Sequence, residues 1–108
     1  MRLLLDESVP ATLRRHLPNH EVQTVVGAGW QGVKNGRLLA LPASSFDALI
    51  TVDKNMPHQQ NASTLPIPVF VLNARSVELA YLLPLLPELE AKLAAPVGNA
   101  FIVVGSGV

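Results

Sequence analysis

The stretch Met1-Arg2-Leu3-Leu4-Leu5-Asp6-Glu7 decides the fold, because a short apolar run stops abruptly at two acids. A continuous apolar run of this length is typical of a buried parallel strand. The same pattern recurs at Ala48-Leu49-Ile50-Thr51-Val52, which ends at Asp53. Each run therefore predicts a buried strand with a carboxylate at its carboxyl-terminal tip. In an open parallel sheet, ligands bind at that edge.

Outward from these two runs, strands alternate with helices along the chain. The predicted strands cover residues 2–5, 21–26, 46–52, 67–72 and 99–104. This alternation indicates an α/β domain in which right-handed crossovers connect a mainly parallel sheet of about five strands. If the strand order is flavodoxin-like, the two acid-tipped strands are neighbours.

Two of the connecting helices have clear signals. Ser8 is a candidate N-cap of the first helix, whose apolar face carries Leu13 and Leu17. The last helix is rich in leucine, and Pro84 and Pro87 must kink or split it.

Composition limits the class of protein. A chain of 108 residues with 49% hydrophobic residues predicts one globular domain spanning residues 1–108. Eight basic and eight acidic residues cancel, so no global charge attracts nucleic acid or a membrane. The absence of cysteine excludes disulfides and fits a cytoplasmic protein. No apolar run approaches the roughly 18 residues that span a bilayer, so no membrane association is expected.

The leading candidate site consists of Asp6, Glu7 and Asp53. Mg²⁺ and Mn²⁺ prefer oxygen ligands, and one or two carboxylates plus water can hold Mg²⁺. Such a metal could polarise a phosphodiester and activate water. The competing interpretation is that Asp6 or Glu7 only begins the next helix. Two acid-tipped strands in one small domain favour a site, whereas Asp47, at the opposite end of its strand, is interpreted as structural.

Polar and basic residues in the loops could complete this site. Asn55 is either a neutral oxygen ligand or a turn residue. The triplet Gln59, Gln60 and Asn61 could read bases or phosphate, or could simply be solvated. Basic residues in segments that follow strands would form a rim suited to a polyanion, or are ordinary surface charges. These residues are Lys34, Arg37, Lys54 and Arg75.

Several short motifs follow one another along nearly the whole chain. They are Leu3-Leu4-Leu5-Asp6-Glu7, Asn19-His20-Glu21-Val22, Gly29-Trp30, Lys34-Asn35-Gly36, Thr51-Val52-Asp53-Lys54-Asn55 and Gln59-Gln60-Asn61. In this order they resemble a family of small bacterial PIN-like proteins, some of which are proposed as toxins of toxin–antitoxin modules. The resemblance implies a PIN-like three-layer α/β/α sandwich and a Mg²⁺- or Mn²⁺-dependent ribonuclease.

The resemblance also implies roles for individual residues. Asp6 and Asp53 match the acids after the first and third strands of the family, which are catalytic and bind the metal. Glu7 matches the second residue of the Asp-Glu opening. Asn35 and Asn55 stand where many relatives carry acids, so each removes a negative charge and should weaken metal binding. The predicted active site is therefore depleted in acids.

The expected partners are RNA and a cognate antitoxin protein. Lys34, Asn35, Arg75 and the loop 59–61 are the candidates for RNA contacts. The leucine-rich last helix and the apolar tail could serve a homodimer or belong to the core.

Two other functions remain open at this point. The first is a PIN-like protein- or RNA-binding module without catalysis. The second is a phosphoacceptor receiver domain, which also carries acids after its first and third strands. A receiver needs a lysine after its fifth strand, and residues 101–108 contain none, so this interpretation ranks last.

Overall fold

A five-stranded, all-parallel sheet organises the chain, with strand order β2-β1-β3-β4-β5. The computed structural model describes residues 1–25, 46–53, 67–95 and 101–105. The strands are β1 (Arg2–Leu5), β2 (Glu21–Thr24), β3 (Ala48–Thr51), β4 (Val69–Leu72) and β5 (Phe101–Val104). The predicted α/β class with about five parallel strands is confirmed. The order is the flavodoxin-like one, in which β1 and β3 are neighbours.

The strands agree closely with the predicted ones but are shorter at several ends. β1 has the predicted bounds, and β4 starts at Val69 rather than at residue 67. Pro68 precedes it and has no N–H to donate to a ladder, although its carbonyl accepts the N–H of Leu49 at 3.1 Å. Regular pairing therefore begins only after this proline.

Side chains of the strands alternate between two apolar clusters, as the pleat requires. One cluster joins alternate strand residues to buried leucines of the helical segments. Its members include Leu3, Leu5, Leu13, Leu17, Ile50, Phe70, Leu72, Leu82, Leu89 and Leu93. The other cluster lies on the opposite face and contains Leu4, Val25, Phe46, Leu49, Ile67, Val69 and Val71.

The first helical segment is a 3-10 helix, Ala11–His16. Leu13 and Leu17 are fully buried, as predicted from their spacing. The predicted capping role of Ser8 is wrong, because Pro10 holds the N-cap position and no side chain caps the helix. The hydroxyl of Ser8 bonds to a carboxylate instead, as described below.

The last helix is divided, as its prolines predicted. It consists of α1 (Leu79–Leu82), a 3-10 turn (Leu83–Leu85) and α2 (Leu86–Ala94). Pro84 lies in the first turn of the 3-10 segment and Pro87 in the first turn of α2. At such positions the missing N–H leaves no helical hydrogen bond unmade.

The helical segments at residues 11–16 and 79–94 contribute their buried leucines to the same apolar cluster, on one face of the sheet. A three-layer sandwich requires helices on the other face as well, so that finer prediction stays a prediction. Across the four ranges that the structure describes, no helix combines the length and apolarity needed to cross a membrane.

Candidate functional site

Asp6 lies at the carboxyl-terminal edge of the sheet, directly after β1, and is 5% exposed. Its N–H donates to the carbonyl oxygen of Ile50 in β3 at 3.1 Å, so the chain is still held against the neighbouring strand. The β1–β3 register pairs Leu5 with Ile50, and one further step brings Asp6 level with Thr51. The topology therefore brings together the two strand ends whose sequences predicted a site.

Two hydroxyl groups hold the Asp6 carboxylate. Ser8 donates to Oδ1 from its backbone N–H at 3.0 Å and from its Oγ at 2.5 Å. Thr51, which has no exposed surface, donates from Oγ1 to Oδ2. Both carboxylate oxygens therefore accept hydrogen bonds within the protein.

Backbone amides donate to the same two hydroxyl groups. The N–H of Asp53 donates to Thr51 Oγ1 at 3.0 Å, and the N–H of Val52 donates to Ser8 Oγ at 3.3 Å. A hydroxyl has a single proton. Each hydroxyl oxygen accepts one amide proton and donates its own proton to Asp6. This arrangement suits an ionised Asp6, which can only accept.

Burial nevertheless raises the pKa of the Asp6 carboxyl above its ordinary value of 3.8. Hydrogen bonds from Ser8 and Thr51 lower the pKa in part, and the negative charge of Asp53 raises it further. Together, the loss of solvation and the charge of Asp53 outweigh the hydrogen bonds in their effect on the pKa. A buried carboxyl whose pKa is raised by burial and by a second acid is a typical feature of functional sites.

The other two predicted acids differ in their surroundings. Asp53, two residues past β3, is half-buried, and its charge acts on Asp6. Glu7 follows Asp6 directly but is exposed. In the described ranges no group of three or more His, Asp or Glu side chains is arranged to hold a metal ion. The structure therefore brings Asp6 and Asp53 together without a third acid in a metal-binding arrangement among those residues.

The donor set of this edge fits a hydrated Mg²⁺ or Mn²⁺. Mg²⁺ is commonly held by one or two carboxylates while it keeps several water ligands. A cation beside Asp6 and Asp53 would offset the two causes that raise the pKa of Asp6, namely its poor solvation and the neighbouring negative charge. The two acids would be its protein ligands within the described residues.

Of the residues predicted to bind substrate, the structure describes Arg75. It is exposed in the segment between β4 and α1, and so follows the carboxyl-terminal end of a strand that neighbours β3. The remaining predicted residues lie outside the described ranges. They are Lys34, Asn35, Arg37, Lys54, Gln59, Gln60 and Asn61, together with Asn55, which was predicted as a metal ligand or a turn residue.

Ser8 and Thr51 contact Asp6 most directly, yet neither was among the predicted site residues. Ser8 was predicted to cap a helix, and Thr51 to form part of the third strand. A signal for Thr51 was present in the sequence, because it lies two residues before Asp53, and side chains two residues apart in a strand point to the same face of the sheet. The signal for Ser8 was its position two residues after Asp6, a spacing at which a carboxylate commonly accepts from the following backbone.

Asp47 lies at the opposite end of β3, as predicted. It accepts the backbone N–H of Arg2 at 2.8 Å and contacts the guanidinium of the same residue at 3.3 Å. These interactions, led by the backbone hydrogen bond, lower the pKa of the Asp47 carboxyl. Asp47 therefore joins the starts of β1 and β3 and has a structural role.

Comparison with known proteins adds no relative to these observations. No family model matches the chain, and no match is found among curated proteins or solved structures.

Proposed function

We propose that this protein is a metal-dependent ribonuclease of PIN-like type, which acts in the cytoplasm as the toxin of a toxin–antitoxin module. Asp6 and Asp53 are the metal ligands and catalytic residues, and Glu7 and Asn55 assist them. The metal is Mg²⁺ or Mn²⁺, the substrate is RNA, and a cognate antitoxin protein is the partner. The motif resemblance supplies the substrate class and the partner.

The observation that carries this proposal is the buried Asp6 carboxylate beside Asp53 at the carboxyl-terminal edge of a parallel sheet. A poorly solvated acid next to a second acid weakens a fold unless a positive charge compensates it. Its presence at the edge where α/β proteins bind ligands favours a cation-dependent role.

A bound divalent ion would supply charge neutralisation at the phosphodiester and would lower the pKa of a bound water. The residues of the chain would do the rest. Ser8 and Thr51 fix the orientation of Asp6 through hydroxyl protons that are already committed to it. Arg75, exposed past the end of β4, would bind a phosphate of the RNA backbone.

A second function is a PIN-like module that binds protein or RNA without cleaving it. The observation that favours it is that the described residues contain no group of three acids or histidines arranged for a metal. Asn35 and Asn55, which stand where the resembled family often carries acids, point the same way.

Cleavage of structured RNA in the presence of Mn²⁺ or Mg²⁺ separates the two functions. We expect the wild-type protein to cleave, and the Asp6→Asn/Asp53→Asn variant to lose activity on the order of a thousandfold, because metal ligation contributes several kcal/mol to such reactions. The matched control is Asp47→Asn, which removes an acid from the opposite edge and should leave cleavage unchanged.

Equal cleavage by the wild-type protein and the double variant would indicate a contaminating nuclease and would contradict the proposed ribonuclease activity. A calorimetric titration with Mn²⁺ tests the site separately from activity. Absence of Mn²⁺ binding at millimolar metal would favour the binding module. Growth arrest on expression, relieved by the product of a neighbouring gene, is the expected result for a toxin.

A further inference from the structure

In the described part of the chain β5 is an edge strand, and side chains bond two backbone groups on its unpaired side. In the part of the chain that the structure describes, β5 pairs with β4 and forms one end of the sheet. Its sequence, Phe101-Ile102-Val103-Val104, is uncharged and rich in β-branched residues, and Val103 is 50% exposed. An exposed edge of this composition is prone to pair with another strand.

The hydrogen-bonding groups of this edge can be assigned from one contact on the paired side. The N–H of Asn73 donates to the carbonyl of Val104 at 2.8 Å, so that carbonyl points towards β4. Carbonyls alternate in direction along a strand, and the C=O and N–H of a trans peptide point oppositely. The carbonyl of Val103 and the N–H of Gly105 therefore both point to the open side.

Two side chains of α2 satisfy these two groups. Lys92 Nζ donates to the carbonyl of Val103 at 2.8 Å, and Glu88 Oε2 accepts the N–H of Gly105 at 3.0 Å. Lys92 and Glu88 also form an i,i+4 ion pair at 3.1 Å. In a parallel sheet, one residue of the next strand would donate its N–H to the Val103 carbonyl and accept the Gly105 N–H with its C=O. The pair supplies the same donor and the same acceptor.

We propose that Glu88 and Lys92, here named the edge clamp, take the place of one residue of a sixth strand and so prevent β5 from pairing with a second copy of this chain. The occupant is a second copy, because a two-fold axis would bring the same strand edge of two molecules together as an antiparallel pair, and that ladder also needs the Val103 carbonyl and the Gly105 N–H of each copy. Because β5 is uncharged, two copies meet without charge repulsion. Once the edge clamp is removed, the Val103 carbonyl and the Gly105 N–H of each copy can bond to the other copy.

The surroundings of the edge clamp hold it in position. The N–H of Gly105, followed by Lys92, lowers the pKa of the Glu88 carboxyl, so Glu88 is an anion at neutral pH. Gly105 has a φ of +96°, and a Cβ there would lie 3.0 Å from Leu85 Cδ2 and 3.1 Å from the Asn73 carbonyl oxygen. Only glycine fits this position without strain, and its backbone turns where β5 ends.

The test compares two double variants with the wild-type protein by sedimentation at increasing protein concentration. Glu88→Ala/Lys92→Ala removes both contacts, while alanine keeps α2 helical. Glu88→Lys/Lys92→Glu keeps the ion pair and the net charge but sets donor against donor and acceptor against acceptor. We expect the wild-type protein to stay monomeric and both variants to dimerise, each with a dissociation constant lowered by about tenfold or more, because each copy regains hydrogen bonds on pairing.

A blocking substitution identifies the surface. Val103→Pro removes an N–H that points to the open side, so it should return either double variant to the monomer without disturbing the β4 ladder. Exchange of the Gly105 amide proton should be slow in the wild-type protein and faster in the monomeric triple variants. Monomers in both folded double variants, a dimer that survives Val103→Pro, or a wild-type dimer paired through β5 would each overturn the proposal.

Discussion

Two aspartates at opposite ends of the β1–β3 pair show how one residue type serves two purposes. Asp47 joins the strand starts, and hydrogen bonds from Arg2 lower the pKa of its carboxyl. Asp6 lies past the end of β1, where burial raises the pKa of its carboxyl despite three hydrogen bonds. The first acid stabilises the fold when ionised, whereas the second destabilises it. An acid kept at a cost to stability indicates a requirement other than folding.

The largest effect is expected from removing a donor to Asp6. Thr51→Val keeps the shape of the side chain but leaves Oδ2 of a buried carboxylate without its partner in β3. We expect the free energy of unfolding to fall by roughly 1–3 kcal/mol, the cost of an unsatisfied buried group. Urea denaturation at neutral pH measures the change. Thr51→Ser, which retains the hydroxyl, should lose less.

A double-mutant cycle checks that this loss acts through the carboxylate. In the Asp6→Asn background, Thr51→Val should cost clearly less than it does alone. An equal cost in both backgrounds would show that Thr51 contributes packing only.

A smaller effect of opposite sign is expected from Asp6→Asn itself, measured with a chelator present. The pKa of Asp6 is raised above its ordinary value of 3.8, so the stability present below that value is lost as pH rises through the folded pKa. The amide has no charge to desolvate, and its NH₂ group can donate to the second lone pair of a hydroxyl oxygen. The variant should therefore be more stable than the wild-type protein at neutral pH, by about 0.5–2 kcal/mol, the usual gain from relieving one unfavourable feature.

This gain should disappear in acid, where Asp6 is protonated in both the folded and the unfolded chain. Denaturation across a pH series gives the comparison. A variant that is less stable than the wild-type protein at neutral pH would contradict the assigned balance between burial and hydrogen bonding.

The smallest effect is expected at the opposite edge. The pKa of Asp47 is lowered, so its contribution is present above the ordinary value of 3.8 and is lost as pH falls through the folded pKa. Asp47→Asn should cost less than about 1 kcal/mol at neutral pH, because its contacts with Arg2 are exposed to solvent. The same pH series should show this cost fading in acid. If the stability difference between Asp47→Asn and the wild-type protein changed with pH in the same direction as that of Asp6→Asn, the contrast between the two acids would be wrong.

The fold was largely predictable from the sequence, because buried parallel strands are continuous apolar runs with clear ends. The run 2–5 shows this, since its strand has the predicted bounds. The pairing of β1 with β3 followed once a flavodoxin-like order was assumed, and it brings Asp6 and Asp53 to one edge. Pro84 and Pro87 likewise predicted the division of the last helix, because proline cannot donate within a helix.

The hydrogen bonds of the site were harder to predict. A serine two residues after an acid can cap a helix or bond the acid, and only the path of the chain decides between these roles. For Ser8, Pro10 takes the N-cap position and leaves the hydroxyl free to bond Asp6. The edge clamp could not be predicted from the sequence either, because the contacts of Glu88 and Lys92 depend on how α2 lies against β5.

The strand order has a consequence for the speed of folding. β1 is synthesised before the other four strands, yet it lies between β2 and β3, and its contact through Arg2 with Asp47 joins residues 45 positions apart in the sequence. Loop closure costs entropy before the ladder it permits can form. Parallel pairing between distant segments therefore places this chain among the slower folders for its length. During translation, the edge of β1 that bonds β3 stays unpaired until residue 51 has left the ribosome, so an apolar strand has an open edge for that time.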